Sequence, residues 1–321
     1  MTPVRTEFRL DYQPPYDWAS MHAWLDARAL PSIERVTNDG YARTARIGDA
    51  CVLVDVTHDS RASAFDVVAS ADRDVDVDEV RARLVRVLDL DRDPIQASAC
   101  VAADAWLSSL CDRHRGLRVP GGWDPFELAC RAVLGQQVSV VAARQLVATL
   151  VRICGRPLPP GLSSDERART FPEPVDVLTA DLASLRMPGA RKATLQALAD
   201  AATAPGFFEP AADLASAIAR LRGVKGIGDW TAHYIALRAL RQPDAFPASD
   251  AGLLRGAADA DGKPSPAALL ARAESWRPHR AYAAQLIWAE AESAASAATT
   301  MAIALVGRVR PVPAQTTSRE S

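Results

Sequence analysis

The feature that most constrains this chain is a change of pattern near Ser98. From there onward, short helical stretches are separated by prolines and glycines such as Pro120-Gly121-Gly122, Pro188-Gly189 and Pro205-Gly206. Proline and glycine end helices, so this part is predicted to be all-α. With 321 residues, 49% of them hydrophobic, the chain has enough apolar material for two or three folded domains.

The first hundred residues have a different pattern. Helical stretches near Tyr16–Ala29 and Val77–Asp89 are mixed with strand-like runs. These runs are Arg5–Tyr12, Ala42–Ile47, Cys51–His58 and Ala64–Ser70. An aspartate-rich stretch between Asp72 and Asp93 predicts a solvated acidic face.

We therefore predict an α+β fold. A sheet-containing α/β N-terminal domain covers residues 1–97 and is followed by two all-α lobes over 98–308, with a helical hairpin at 213–240. Residues 309–321 are predicted to form a disordered tail.

Charge and cysteine content argue against several classes of protein. The formal net charge is −2, so composition alone does not indicate a polyanionic partner. Five cysteines occur without a CxxC pair, which argues against zinc and iron–sulfur sites. The N-terminus lacks the apolar core of a secretory signal, and the longest charge-free run, Ser293–Gly307, is too short to span a bilayer. We expect a cytoplasmic protein with no membrane role and no required cofactor or metal.

The segment Leu214–Leu240 has informative spacing. Leu214, Ile218 and Leu221 lie on one face of a predicted helix, and a second helix follows the glycines of Gly223–Gly228. Such glycines let the backbone approach an anion and direct the free N–H groups of a helix N-terminus toward it. A phosphate site is predicted, and a plain helical corner with glycines for steric relief is the alternative.

A carboxylate follows this hairpin. Asp250 closes the run Asp244-Ala-Phe-Pro-Ala-Ser-Asp and precedes the helical stretch Ala251–Ala258. From position alone, Ser249 or Asp250 is a helix N-cap, and a purely structural capping role is the default interpretation. Asp244 is the competing carboxylate.

Several separated motifs, in family order, resemble those of the helix-hairpin-helix (HhH-GPD) DNA glycosylases, in particular the AlkA-type DNA-3-methyladenine glycosylases II. They are Gln13-Pro-Pro-Tyr-Asp-Trp18, Arg131-Ala-Val-Leu-Gly-Gln-Gln-Val-Ser-Val140, Gly223-Val-Lys-Gly-Ile-Gly-Asp-Trp-Thr-Ala232 with Asp250 at the family distance, and Trp276–Trp288. The resemblance extends from about Phe8 to Glu292 and implies the helical lobes, the hairpin and a cleft between the lobes.

For the hairpin, the resemblance implies binding of one DNA strand through backbone amides at Gly226 and Gly228, within the loop that Gly223 begins. Lys225 stands where the family often has proline, and it adds a positive charge beside the expected phosphate. The family hairpin also commonly holds a monovalent cation, Na⁺ or K⁺. Here the implied ligands are the main-chain carbonyls of Arg222, Val224 and Ile227.

For Asp250, the resemblance implies the catalytic role. Breaking an N-glycosidic bond builds positive charge on the sugar, which a carboxylate stabilises while it orients water. Glycosylases that also cut the strand use a lysine to form a Schiff base. Trp230 occupies that lysine's position, and none of the three lysines, Lys192, Lys225 and Lys263, matches it. We predict hydrolysis without AP-lyase activity.

Aromatic residues are assigned to two places, a base pocket and the core. Trp230, Tyr234, Trp288 and Trp24 are predicted to form the pocket for a flipped base, where alkylated purines gain a cation–π attraction. Ala289 replaces an aromatic residue of the bacterial prototype. The predicted core tryptophans are Trp18, Trp106 and Trp276.

The motif Arg131–Val140 resembles the turn that probes the duplex. Gln137 is predicted to fill the gap left by the flipped nucleotide, while Gln136 and Ser139 organise the turn. A simple helix cap is the alternative for Ser139.

Together these features predict a monofunctional DNA glycosylase of base excision repair, which removes alkylated bases such as 3-methyladenine and 7-methylguanine from damaged double-stranded DNA. We expect a monomer of bacterial type, associated with the nucleoid. One alternative is the same fold acting on oxidised, deaminated or etheno bases. Others are a non-catalytic lesion sensor and an acid–base enzyme acting on small nucleosides.

Overall fold

A computed structural model of the protein describes the backbone of residues 3–306, and the side chains of that stretch apart from Cys100 and residues 296–306. The predicted tail at 309–321 lies outside the described residues. The N-terminal part contains a five-stranded antiparallel sheet with the order β1-β5-β4-β3-β2. Its strands are β1 (Val4–Asp11), β2 (Glu34–Val36), β3 (Gly40–Ile47), β4 (Ala50–Asp59) and β5 (Ala64–Ala71).

Burial alternates along β4, as expected for a strand with one face on the core. Val52, Val54 and Val56 are buried, while the residues between them are half-buried. This face packs with Val80 and Leu84 in one core cluster. The four predicted strands are confirmed to within two residues. The strand β2 was not predicted, because three residues are too few to show alternation.

The helices within the described residues occupy most of the remaining chain. They are α1 (Trp18–Arg28), α2 (Val77–Leu88), α3 (Pro94–Val101), α4 (Ala105–Arg113), α5 (Pro125–Leu134), α6 (Val140–Cys154), α7 (Pro174–Thr179), α8 (Gly189–Ala202), α9 (Leu214–Arg222), α10 (Asp229–Arg238), α11 (Ala251–Gly256), α12 (Pro266–Ala273) and α13 (Arg280–Val306). A 3-10 turn covers Glu274–Trp276. The α+β class is confirmed.

The prediction that everything after Ser98 is helical was wrong in one place. Two short strands, β6 (Arg156–Pro157) and β7 (Arg169–Thr170), pair in antiparallel fashion within the helical part. Strands of two residues carry no periodicity, and a proline in one of them argues against a strand.

The aspartate-rich stretch is less solvated than predicted. Asp89 is buried, accepts the Val119 N–H at 2.8 Å and forms ion pairs with Arg92 and Arg241. Asp72 accepts the Cys51 N–H at 2.8 Å. These carboxylates replace water with backbone and arginine donors, which a composition-based interpretation does not reveal.

The core of the helical part also includes residues from the N-terminal region. Leu30 and Ile33 pack in the same cluster as helices α5, α8, α10 and α13. Trp276 is fully buried in this cluster, as predicted. Trp106 packs against it while partly exposed, and Trp18 packs similarly against the sheet-side core.

A buried ion network joins the sheet to α5. Arg43 on β3 donates to Glu127 at 2.8 Å, and Arg131 donates to Glu127 and to Glu34 on β2, each at 2.7 Å. Burial raises the pKa of Glu127, but Arg43 and Arg131 outweigh burial and leave this pKa below its ordinary value. The sheet is therefore anchored to α5 by paired charges.

Two kinds of feature are absent from the described part of the chain. None of its helices has the length and apolar character needed to cross a bilayer. It also contains no group of three or more His, Cys, Asp or Glu side chains placed to hold a metal ion.

Candidate active site

The carboxylate of Asp250 is held by four N–H donors. It caps α11, where Oδ1 accepts the backbone N–H groups of Gly252 at 2.8 Å and Leu253 at 3.0 Å. The indole Nε1 of Trp288 donates to Oδ1 at 2.8 Å, and that of Trp230 donates to Oδ2 at 2.9 Å. Both oxygens are thus fixed in direction. A plain N-cap needs only the two backbone donors.

Hydrogen bonds at Phe246 and Asp244 fix the segment that precedes Asp250. The Phe246 N–H donates to Nδ1 of His233 on α10 at 3.2 Å, and Asp244 accepts Nε of Arg280 at 2.7 Å. Asp244 also pairs with Arg277 and does not line the cavity described below. The competing carboxylate therefore has a structural role, and it helps to position Asp250.

The four predicted pocket aromatics line one cavity with Asp250, with a volume of about 590 Å³. The rings of Trp230 and Tyr234 stack with centroids 5.4 Å apart and an interplanar angle of 17°. Tyr234 and Trp288 meet edge to face at 6.3 Å. Trp24 contributes from α1 of the N-terminal part. The volume lies within the range of ordinary ligand pockets.

Two features of this site were not predicted from the sequence. A Cβ atom on Gly252 would lie 2.9 Å from Asp250 Oδ1 and 3.0 Å from the Trp288 ring, so glycine is needed for the indole to reach the carboxylate. In the sequence, this requirement could have been recognised from a glycine in the first turn of a predicted helix, a position where glycine is otherwise unfavourable. The second feature is a buried arginine, Arg238, beside the aromatic rings. Ala289, by contrast, is buried away from the cavity.

The hairpin lies between α9 and α10. Gly226 has a φ of +90°, and a Cβ there would lie 1.9 Å from Oγ1 of Thr194 on α8. Gly228 precedes α10 and faces open space. Lys225 is exposed in the same loop, and Gly223 ends α9. The N-terminal N–H groups of α10 have no side-chain cap, so this loop presents unpaired donors and a nearby positive charge.

We expect Gly226→Ala to damage the hairpin. Alanine is disfavoured by the left-handed backbone at this position, and its Cβ would clash with Thr194. The substitution should therefore lower the free energy of unfolding by about 2–4 kcal/mol. Urea denaturation measures this, and DNA affinity should fall in parallel. Gly228→Ala, whose Cβ meets nothing within 4 Å, is the matched control for stability. Equal stabilities of the two variants would contradict the expectation.

The turn before α6 is linked to the hairpin. Nε2 of Gln136 donates to the Gly226 carbonyl at 3.3 Å and to Thr231 Oγ1 at 2.9 Å. Gln137 is exposed, with a φ of 57° that is uncommon outside glycine. Ser139 accepts the Ala142 N–H at 3.2 Å as the cap of α6, and it also lines the cavity. Gln137 therefore projects from a turn that is anchored on both sides.

The fold and the site together define the architecture of the helix-hairpin-helix DNA glycosylases. The family model of the AlkA N-terminal domain matches residues 7–124. The chain is 33% identical to DNA-3-methyladenine glycosylase 2 of Escherichia coli over 291 residues, which cover 88% of this chain and 96% of that protein. It therefore belongs to the AlkA family of DNA-3-methyladenine glycosylases.

Two other similarities agree with this assignment. A Mycobacterium tuberculosis protein named "Probable bifunctional transcriptional activator/DNA repair enzyme AlkA" is 36% identical over 286 residues, or 88% of this chain. The chain spans only 57% of that relative's length. The solved 3-methyladenine DNA-glycosylase of Archaeoglobus fulgidus has the same fold, with a TM-score of 0.75 at 22% identity over 88% of this chain and 97% of that one.

Proposed function

We propose that this protein is a monofunctional DNA glycosylase that releases alkylated bases, of the 3-methyladenine and 7-methylguanine type, from damaged double-stranded DNA. One observation carries the proposal. Asp250 lies in the wall of an aromatic cavity and receives the indole N–H groups of Trp230 and Trp288. The names of the E. coli and A. fulgidus relatives support the substrate class.

In the proposed reaction the damaged nucleotide is flipped out of the duplex and its base enters the cavity. The faces of Trp230, Tyr234, Trp288 and Trp24 offer stacking surfaces for the base. As the glycosidic bond breaks, the carboxylate of Asp250 stabilises the positive sugar and orients the attacking water. Its four N–H donors hold the carboxylate in place, so little reorganisation is needed during the reaction.

Strand cleavage is not expected to accompany base release. The position where lyase-type relatives carry lysine is occupied here by Trp230, whose indole N–H is engaged with Asp250 Oδ2 at 2.9 Å. An indole nitrogen cannot form a Schiff base with the sugar. Hydrolysis by water is therefore the proposed outcome.

DNA binding is proposed at the hairpin and the neighbouring turn. The open backbone at Gly226 and Gly228 and the charge of Lys225 suit a phosphate, and Gln137 suits the gap left by the flipped base. We also propose that a monovalent cation binds at the main-chain carbonyls of Arg222, Val224 and Ile227. The Val224 carbonyl accepts the Ile227 N–H at 3.0 Å and keeps a second lone pair. We further propose a monomer acting at the bacterial nucleoid.

Single-turnover release of free base from methylated duplex DNA tests this function. We expect 3-methyladenine and 7-methylguanine in the soluble fraction, with strands that stay intact until alkali is added. Strand breaks without alkali would contradict the monofunctional assignment. Release only from oxidised, deaminated or etheno lesions would change the substrate class, and lesion binding without release from any substrate would indicate a sensor.

A further inference from the structure

Arg238 is a buried arginine that no carboxylate partner neutralises among the described residues. Its side chain is 2% exposed and lines the aromatic cavity. Nη1 donates to the Pro120 carbonyl at 2.9 Å and Nη2 to Oε1 of Gln285 at 2.7 Å, while the buried Nε has no hydrogen-bond partner. Burial lowers the pKa of Arg238 to about 10, so the group is still cationic at neutral pH.

This cation and the Asp250 carboxylate both contact the Trp288 indole. The guanidinium carbon is 4.9 Å from the ring centroid of Trp288 and 5.4 Å from that of Trp24. Trp288 is also the donor to Asp250 Oδ1 at 2.8 Å. One indole therefore contacts the carboxylate through its N–H and the guanidinium through its face. Two charged side chains act on Arg238 from nearby: Arg28 disfavours its cationic form and Glu292 favours it, but Glu292 is 63% exposed and neutralises little of the charge.

We propose that Arg238 sets the charge preference of the base pocket by stabilising the electrons that the departing base receives. This inference rests on the proposed function. The C1′–N bond breaks heterolytically, and its electron pair stays on the base. The sugar cation near Asp250 takes hydroxide from water. A cationic alkylpurine then leaves as a neutral molecule and the water proton goes to solvent, whereas a neutral base gains negative charge and takes up that proton.

The field of Arg238 acts differently on the two kinds of lesion. For both, the base becomes more negative in the transition state, so the cation raises the rate of the chemical step, kmax. A cationic base is also repelled when it first enters the pocket, which weakens its binding. Relative to free enzyme and DNA, Arg238 therefore assists release of neutral bases and has little net effect on cationic ones.

Gln285→Glu tests this inference while keeping Arg238 in place. The variant puts a carboxylate oxygen where the amide oxygen now accepts Nη2 at 2.7 Å, so it neutralises the guanidinium without a change in volume. Single-turnover rates at varied enzyme concentration give kmax and the half-saturating concentration, Khalf. With hypoxanthine as the neutral base, kmax/Khalf should fall about tenfold. With 7-methylguanine, kmax and Khalf should fall together, and their ratio should change less than about twofold.

Arg238→Gln should also lower kmax/Khalf for hypoxanthine while leaving kmax/Khalf for 7-methylguanine nearly unchanged. Arg238→Lys keeps the charge and should restore kmax/Khalf for hypoxanthine to the wild-type value. Arg118→Gln is the matched control. Arg118 is also 2% exposed and donates to backbone carbonyls, including that of Arg92 at 2.9 Å, but it does not line the cavity. Any loss of stability in this control should affect both lesions equally.

The outcomes separate the two proposals. An equal fall in kmax/Khalf for both lesions in Gln285→Glu and Arg238→Gln would overturn the role of Arg238 and leave only a structural function. Release of neither base by the wild-type protein would contradict the proposed function itself.

Discussion

Asp250→Asn is expected to lower the single-turnover rate of base release by about 10³-fold while leaving the fold and DNA binding intact. Asparagine remains a good N-cap, and its carbonyl oxygen can still accept the N–H groups of Gly252, Leu253 and Trp288. Its amide group, however, places a donor against the Trp230 N–H, where Oδ2 now accepts at 2.9 Å. The negative charge that faces the sugar cation is lost.

The measurement is release of 7-methylguanine from duplex DNA with enzyme in excess, together with DNA affinity from an anisotropy titration. Asp76→Asn is the matched control, because Asp76 caps α2 with the same pair of backbone bonds, from Asp78 at 3.0 Å and Glu79 at 3.2 Å. It should release base at the wild-type rate. Undiminished release by Asp250→Asn would transfer the catalytic role to another group.

Glu127→Ala is expected to lower the free energy of unfolding by about 3–5 kcal/mol. The Glu127 carboxylate is buried and pairs with Arg43 at 2.8 Å and Arg131 at 2.7 Å. Its removal leaves the buried Arg43 and the partly buried Arg131 with Glu34 as their shared carboxylate among the described residues. Arg131 also donates to the Arg28 carbonyl at the end of α1, so the loss should loosen the helix that carries Trp24.

Urea denaturation measures this loss, and Glu79→Ala provides the control. Glu79 pairs with Arg83 at 2.7 Å, but its side chain is 40% exposed, so its removal should cost less than about 1 kcal/mol. The pKa of Glu127 lies below its ordinary value of 4.5, so its contribution is present above that pH and is lost as the pH falls through the folded-state pKa. The stability gap between wild type and Glu127→Ala should therefore shrink in acid. A gap independent of pH would contradict the ion-pair explanation.

The features that could be predicted from the sequence are the long strands, which have a local period, and the site residues that lie in contiguous family motifs. Alternation located the long strands, and family spacing selected Asp250, Trp230 and Trp288, which the structure brings into direct contact across 20 and 38 residues. It did not reveal β2 or the pair β6–β7, because elements of two or three residues have no period.

Long-range polar pairs were also beyond prediction from the sequence. Arg43 and Glu127 are separated by 84 residues, and Arg238 and Gln285 by 47, without any pattern that links them. A single arginine in a helix is ordinarily read as a solvated residue. Only tertiary packing determines whether such a charge is solvated, paired or left without a counterion beside a cavity.

If the protein scans DNA as proposed, the two hydrogen bonds of Gln136 fix the distance between two of its DNA contacts. One side chain connects the turn that carries Gln137 to the loop at Gly226 and to the first turn of α10 through Thr231. A DNA strand bound at that loop would therefore meet Gln137 at a fixed distance along the strand. Under the proposed function, we expect scanning to test whether the base stack opens at that spacing, so that weakened base pairs open more readily than sound ones.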